Sequence, residues 1–366
     1  MGASGEKVLV TGAAGFIGSH VVDAALAAGY EVRATDLPNA DFSYLRSLGV
    51  EIVPGDLIDP DDVERMVQGV DHIIMVAAVF DHSKTREFLE RANVGSRRIM
   101  CKAALKAELK TVVEFSSCDI YGSHKQQPIR EDFPPRPDNH YAVTKVLAER
   151  EALRFQRDHG LPVTVIRPTA VYGPRGIYTA SLFVGIPCLL RETGLKKMPL
   201  PTGGFVNNLV HVEDIARAAV FLLNRPEAVG RAFNVADKTH IAFGDMIHLL
   251  LRAVGMETVE LPLRLPRLPI KLLAKSGMAM PDAVFRPFNN LLQRRWDYLV
   301  IKHRLEPAFR PRWDKPFFSY GISDHTYDIS AIESLGFELK HPDLKKGWDA
   351  TIDWYVENNW IPEYRR

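Results

Sequence analysis

Six short runs rich in Val and Ile alternate with amphipathic stretches over the first 168 residues, and this alternation limits the fold more than any other feature. The runs are KVLVTG (7–12), EVRATD (31–36), EIVPGD (51–56), HIIMVAA (72–78), TVVEFSS (111–117) and PVTVIRP (162–168). Their length, composition and closing turn residues mark buried strands. The stretches 16–28, 61–69, 85–108 and 138–159 space their apolar residues as helices do. Such alternation predicts an α/β fold, with a parallel sheet covered by helices on both faces and right-handed crossovers. Ligands of these sheets bind at the carboxyl ends of the strands.

The first strand–helix junction carries VTGAAGFIGSH, with Gly12, Gly15 and Gly18 spaced G-x-x-G-x-x-G. Glycine there lets the backbone turn tightly and approach a pyrophosphate, which the helix N-terminus then holds. Asp36 ends the next run, 18 residues after Gly18, where a carboxylate grips the adenosine ribose hydroxyls. No arginine follows it in DLPNADFSY to neutralise a 2′-phosphate, so the pattern favours NAD over NADP. Arg33, three residues earlier on the same strand, is the one cation that bears on that choice.

Composition narrows the class. The chain has 366 residues, 46% hydrophobic and 25% charged, enough to bury a sizeable core without staples. A formal net charge of +1 argues against a nucleic-acid binder, leaving a small-molecule substrate as the expected partner. Cys101, Cys118 and Cys188 show no metal or C-x-x-C spacing and suit a reducing compartment. MGASGEKVLV leaves no room for a signal peptide, and no run of about 18 uncharged apolar residues occurs. Cytoplasmic residence is the expectation.

The chain resembles the extended branch of the short-chain dehydrogenase/reductase family, which includes nucleotide-sugar epimerases and dehydratases and the 3β-hydroxysteroid dehydrogenases. The motifs are TGAAGFIG (11–18), GDLIDP (55–60), VAA (76–78), NVGSRR (93–98), SSCDIYG (116–122), YAVTK (141–145), RPTAVYGP (167–174), NLVHVEDIARA (208–218) and YDISAIESLGF (327–337). The chain departs from the family at Met75, where His is frequent, and at Ser96, where Thr is frequent. The resemblance implies a Rossmann-type doubly wound sheet with a smaller, discontinuous C-terminal substrate lobe. It divides the chain into an NAD-binding part, 1–168 with 208–240 returning to it, and a substrate part, 169–207 and 241–366. It also implies cofactor contacts from Phe16, Ile17, Asp56, Leu57, Ala77, Ala78, Asn93 and Pro168, besides the glycines and Asp36. A homodimer formed by the helices at 85–108 and 138–159 is expected on the same ground.

Tyr141 and Lys145 stand four apart and share a helix face. A free phenol, with a pKa of ~10, is a poor base at neutral pH, and an adjacent ammonium is expected to lower that value. Ser117 ends a strand at the same cleft and can hold the substrate oxygen. The trio Tyr141, Lys145 and Ser117 suits hydride transfer at a secondary alcohol carbon, with the lysine also bonding the nicotinamide ribose as the resemblance implies. In sugar dehydratases an acidic pair follows the Ser/Thr; Cys118 breaks that pair here, and Asp119 reads as a turn residue. His211, Glu213 and Asp214 read as a helix entry with an anion in the first turn rather than as a metal site.

The substrate is encoded in the irregular last third. Residues 264–315 hold 12 Lys/Arg against 4 Asp/Glu, net +8, so the remainder is −7. LPLRLPRLPIKLLAK opens this island, and prolines at 262, 266, 269 and 281 argue against one long helix. The cations suit either an anionic membrane surface, met through 264–275, or the diphosphate of a nucleotide sugar. Phe285, Phe288, Trp296, Tyr298, Phe309, Trp313, Phe317 and Phe318 suit a flat hydrophobic substrate such as a sterol or terpenoid. The reading is an NAD-dependent oxidoreductase on a 3β-hydroxysteroid-like substrate. Its alternatives are a nucleotide-sugar 4-epimerase and a non-catalytic NAD(P)-sensing regulator.

Overall fold

A computed structural model describes residues 5–81, 84–178, 181–308, 310–313 and 323–364. The six Val/Ile-rich runs become strands β1 (Lys7–Thr11), β2 (Glu31–Thr35), β3 (Glu51–Ile52), β4 (His72–Met75), β5 (Thr111–Phe115) and β6 (Val163–Pro168). With strand Ala232–Val235 they form one sheet, ordered β3–β2–β1–β4–β5–β6 and then 232–235, parallel throughout. Alternate residues face opposite ways, so Val8 and Val10 enter one apolar layer and Leu9 the other. Both layers are packed by helices, which is why the strands are apolar on both faces.

Strand order reverses between β1 and β4, whose ends Thr11 and Met75 lie in register. The chain leaves these two strands in opposite directions, so a crevice opens above their carboxyl ends. The glycine loop sits on one side of it and residues 76–80 on the other.

Helices Phe16–Ala27, Pro60–Val67 and His140–His159 stand where the apolar spacing predicts them. The stretch 85–108 is instead broken in three: Arg86–Glu90 is α-helical, Arg91–Gly95 is a π-helical turn and Ser96–Lys106 resumes the α-helix. The extra residue in that turn lets Asn93 point inward, where its side chain bonds both polar atoms of Val79 and Thr144 Oγ1.

A second apolar core joins Tyr172, Phe183, Met246, Trp296, Trp348 and Tyr355, away from the main sheet. Tyr327, Ile329, Ile332 and Phe337, from the part of the chain assigned by sequence to the substrate lobe, pack into the core of the dinucleotide half. Three prolines of the last third act as punctuation, whereas Pro269 and Pro287 lie within helices. Strand Glu257–Leu265 shifts register between Glu260 and Arg264, around Pro262. Pro266 and Pro281 stand at the N-caps of helices Arg267–Ala279 and Asp282–His303. Phe309, Phe317 and Phe318 lie outside the described residues.

Candidate active site

The glycine loop is built by close approach. Gly12 has φ +65°, and a Cβ there would lie 2.8 Å from Ala77 Cα, so only glycine lets β1 and β4 end this near each other. A Cβ on Gly18 would lie 1.9 Å from the Gly12 carbonyl oxygen, which seats the helix directly on the loop. Gly15 is the N-cap of helix 16–27 and offers no side chain to cap it, leaving the first-turn amides facing the crevice. The Asp36 carboxylate accepts from the amides of Ala14 and Leu37 and is part-exposed at the rim. Arg33 does not join it. Its guanidinium donates to the carbonyls of Met66 and Gln68 and pairs with Glu51, so it is committed to the far side of β2. Asp56 turns its carboxylate onto the amide of Ile58, and Leu57 packs half-buried beside it.

Across the crevice, Ala77 is held from both ends. Its amide donates to Thr11 Oγ1, and its carbonyl accepts from Arg97 Nη2. Arg97 is buried and forms a two-oxygen contact with Glu114 of β5, itself fully buried. A charged residue inside the otherwise apolar run TVVEF is the sequence signal that a buried partner must exist, yet spacing alone does not identify that partner as Arg97.

Helix 140–159 begins at Asn139, whose side chain caps the amide of Ala142, and it sets Tyr141 and Lys145 on its buried face. Lys145 Nζ donates to the carbonyl of Phe115, at the end of β5 and two residues before Ser117. It lies 6.0 Å from the centre of the Tyr141 ring. The two groups are therefore neighbours, but the ammonium is turned toward the strand. This corrects the expectation of a lowered phenol pKa. Burial pushes the Tyr141 phenol up, and the nearby Asp119 carboxylate adds to that. Burial also pulls the Lys145 ammonium down to about 8, helped by the positive charge of Arg97.

Ser117 is part-exposed, whereas the Ser116 hydroxyl is fully enclosed, so of the two only Ser117 opens onto the crevice. The Ser117 side chain accepts from the amide of Asp119, capping the short turn Cys118–Tyr121. Asp119 is solvent-exposed, with protein crowded around its carboxyl. Burial first, then Asp138, raises its carboxyl to about 6. Asp119 stays in the turn Cys118–Tyr121, as the sequence suggests, and its charge also bears on Tyr141 and Lys145. Cys118 points the other way, toward the carbonyl of Arg167, and is buried.

The fold and this geometry have matches among known proteins. Residues 8–236 match the NAD dependent epimerase/dehydratase family. The chain belongs to that family. Sterol demethylase protein B of Methylococcus capsulatus is 34% identical over 80% of this chain and 87% of its own. A dTDP-glucose 4,6-dehydratase of Streptomyces niveus is 31% identical over 68% of this chain and 78% of its own. Among solved structures, a dTDP-glucose 4,6-dehydratase of Streptomyces venezuelae with NAD and TYD bound superposes with a TM-score of 0.70 at 21% identity, covering 97% of this chain and 99% of its own. A UDP-glucose 4-epimerase of Thermotoga maritima does so with 0.70 at 21%, covering 96% and 99%. These last two speak for the fold.

The family's NAD-dependence fits the residues present. The side-chain-free cradle at Gly12 and Gly18, the uncapped amides behind Gly15 and the Asp36 carboxylate suit a pyrophosphate and an unphosphorylated ribose. NAD is the cofactor of this epimerase/dehydratase family member.

Sequence reasoning missed the aromatic wall. Phe80 is 44% exposed and stands edge-on to Tyr141 at 4.8 Å and to Tyr178 at 5.2 Å. Its only signal was its place two residues after Ala78. The turn after β6 is tied to the first helix, because His20 Nε2 bonds the carbonyl of Pro174 at 2.8 Å. Tyr355 donates to the carbonyls of Gly173 and Gly176, fixing the same turn from below. His211, Glu213 and His341 bring ligand-type atoms within 4.8 Å of one another. Their contacts are those of a helix entry: His211 Nδ1 caps the amide of Glu213, while Glu213 holds Lys340 and His341. Asp214 latches the amides of Lys340 and His341.

Proposed function

We propose that this NAD-dependent enzyme interconverts a secondary alcohol and a ketone on a large apolar ring substrate of the 3β-hydroxysteroid kind. The observation that carries the reading is Phe80, a half-exposed aromatic ring set directly against Tyr141 and shared with Tyr178. Aromatic faces beside the reacting group favour a flat hydrocarbon over a hydroxyl-covered sugar ring. The likeness to a sterol demethylase protein supports the same choice. Cys118, where sugar dehydratases carry the first of two acids, weighs against dehydration.

Bound NAD supplies the hydride acceptor or donor. The chain manages the oxygen and its proton. In reduction, the neutral Tyr141 phenol gives its proton to the substrate carbonyl oxygen as hydride reaches the carbon. Oxidation retraces the path, the hydroxyl proton passing to the phenolic oxygen. Ser117 donates a hydrogen bond to the same oxygen. Lys145 sustains the positive potential beneath it while holding the end of β5. Cytoplasmic residence suits the three free, buried cysteines. A homodimer through the outer faces of helices 96–106 and 140–159 completes the reading; light scattering tests it.

Purified protein with NAD and, separately, 3β-hydroxysterols and nucleotide sugars decides the matter. Net NADH formation with a sterol is expected, and Tyr141→Phe should lower that rate by ~10²–10⁴-fold. Epimerised sugar without NADH, or full activity in Tyr141→Phe, sinks the reading.

A further inference from the structure

Helix Arg267–Ala279 reverses the usual burial of a surface helix. Among its described side chains the buried ones are small, Ala274 and Gly277. Its leucines face out: Leu268, Leu272 and Leu273 are 68%, 59% and 69% exposed. At 100° per residue these three span one side of the helix, while Arg267, Lys271 and Lys275, at i, i+4 and i+8, run along the edge of that side. The helix contains no acidic residue. Among the described residues, 12 of the 18 large exposed hydrophobic side chains fall between 259 and 301. An apolar concentration of this size on a soluble protein marks an interaction surface.

Charge identifies the occupant. Helix 267–279 carries three cations and no acid, and although Arg267 pairs with Asp324, two copies of this face would still set Lys271 and Lys275 against like charges, while a neutral apolar partner would leave those two lysines unused. A leucine face edged by basic side chains with long aliphatic stems matches an anionic bilayer: the leucines enter the acyl boundary and the ammonium groups stay at the headgroups.

We propose that helix 267–279 docks the enzyme onto anionic lipid membranes, lying in the plane of the interface. The proposal extends the apolar-substrate reading, because such substrates dissolve in bilayers, but its test needs no substrate. Full-length protein is sedimented with sucrose-loaded vesicles of phosphatidylcholine alone or mixed with phosphatidylglycerol. Binding to the mixed vesicles is expected, weakened by salt. Lys271→Glu with Lys275→Glu should weaken it by at least about tenfold. Leu268→Ser with Leu272→Ser and Leu273→Ser should abolish it, with circular dichroism and NAD binding unchanged. Three results overturn the proposal. Wild type left in the supernatant at low salt would mean that the face does not bind the bilayer. Binding that depends on the lysines but not on the leucines would mean charge attraction alone. A vesicle-free dimer that the leucine changes dissociate would mean that a second copy covers the face. Sterol turnover can fail while docking succeeds, which separates this proposal from the catalytic one.

Discussion

The dinucleotide half and helix Arg267–Ala279 treat apolar side chains in opposite ways. In the first, every residue of β4 is buried, and even its charges, Arg97 and Glu114, are enclosed as a pair. In the second, leucines stand in solvent, and the buried positions among its described side chains are Ala274 and Gly277. The difference tracks what each part must hold. A cofactor of fixed shape rewards a rigid cradle, where a single Cβ is one too many. An exposed face that only meets a surface needs no such cradle, and its residues cost little to change.

Substitutions can break that contrast. The largest effect is expected for Arg97→Leu, which strands the Glu114 carboxylate in the interior and should cost ~3–5 kcal/mol in urea unfolding. Adding Glu114→Leu should recover most of that loss; a double variant as unstable as the single one removes the buried pair as the explanation. Gly18→Ala comes next. Its methyl would collide with the Gly12 carbonyl, costing ~1–3 kcal/mol and weakening NAD binding by calorimetry.

A pH effect of intermediate size belongs to Lys145. Its folded-state pKa of about 8 lies below the ordinary 10.5, so between those values the unfolded chain keeps a proton that the folded chain has released. Stability should therefore rise with pH through that window in the wild type, relative to Lys145→Met. Parallel urea midpoints for the two proteins across the window would contradict the buried ammonium. The smallest effect is Leu272→Ala in the exposed helix, within about 0.5 kcal/mol by thermal unfolding. A loss of several kcal/mol there would mean that the leucine is packed, and the contrast between the two regions would dissolve.

The legible features are local ones. Alternating periods expose the strands and helices of a parallel sheet, the glycine spacing exposes the cradle, and Asp36 and Ser117 can be placed by counting from those landmarks. Boundaries drifted where the chain did something non-periodic, as at the π-helical turn 91–95 inside the stretch 85–108. Asp119 lies in a turn as its neighbours suggest, and only the surrounding structure shows that its charge bears on Tyr141.

What the chain determines by itself is the α/β order, the dinucleotide loop and the i, i+4 pairing of Tyr141 with Lys145, since each follows from backbone geometry within a few residues. Tertiary structure decided the rest. It turned Lys145 toward the Phe115 carbonyl, raised the phenol it was expected to lower, withdrew Arg33 to Met66 and Gln68, and set Phe80 over Tyr141. These outcomes depend on burial and on partners far away in sequence, and desolvation depends on everything that surrounds a group rather than on its neighbours along the chain.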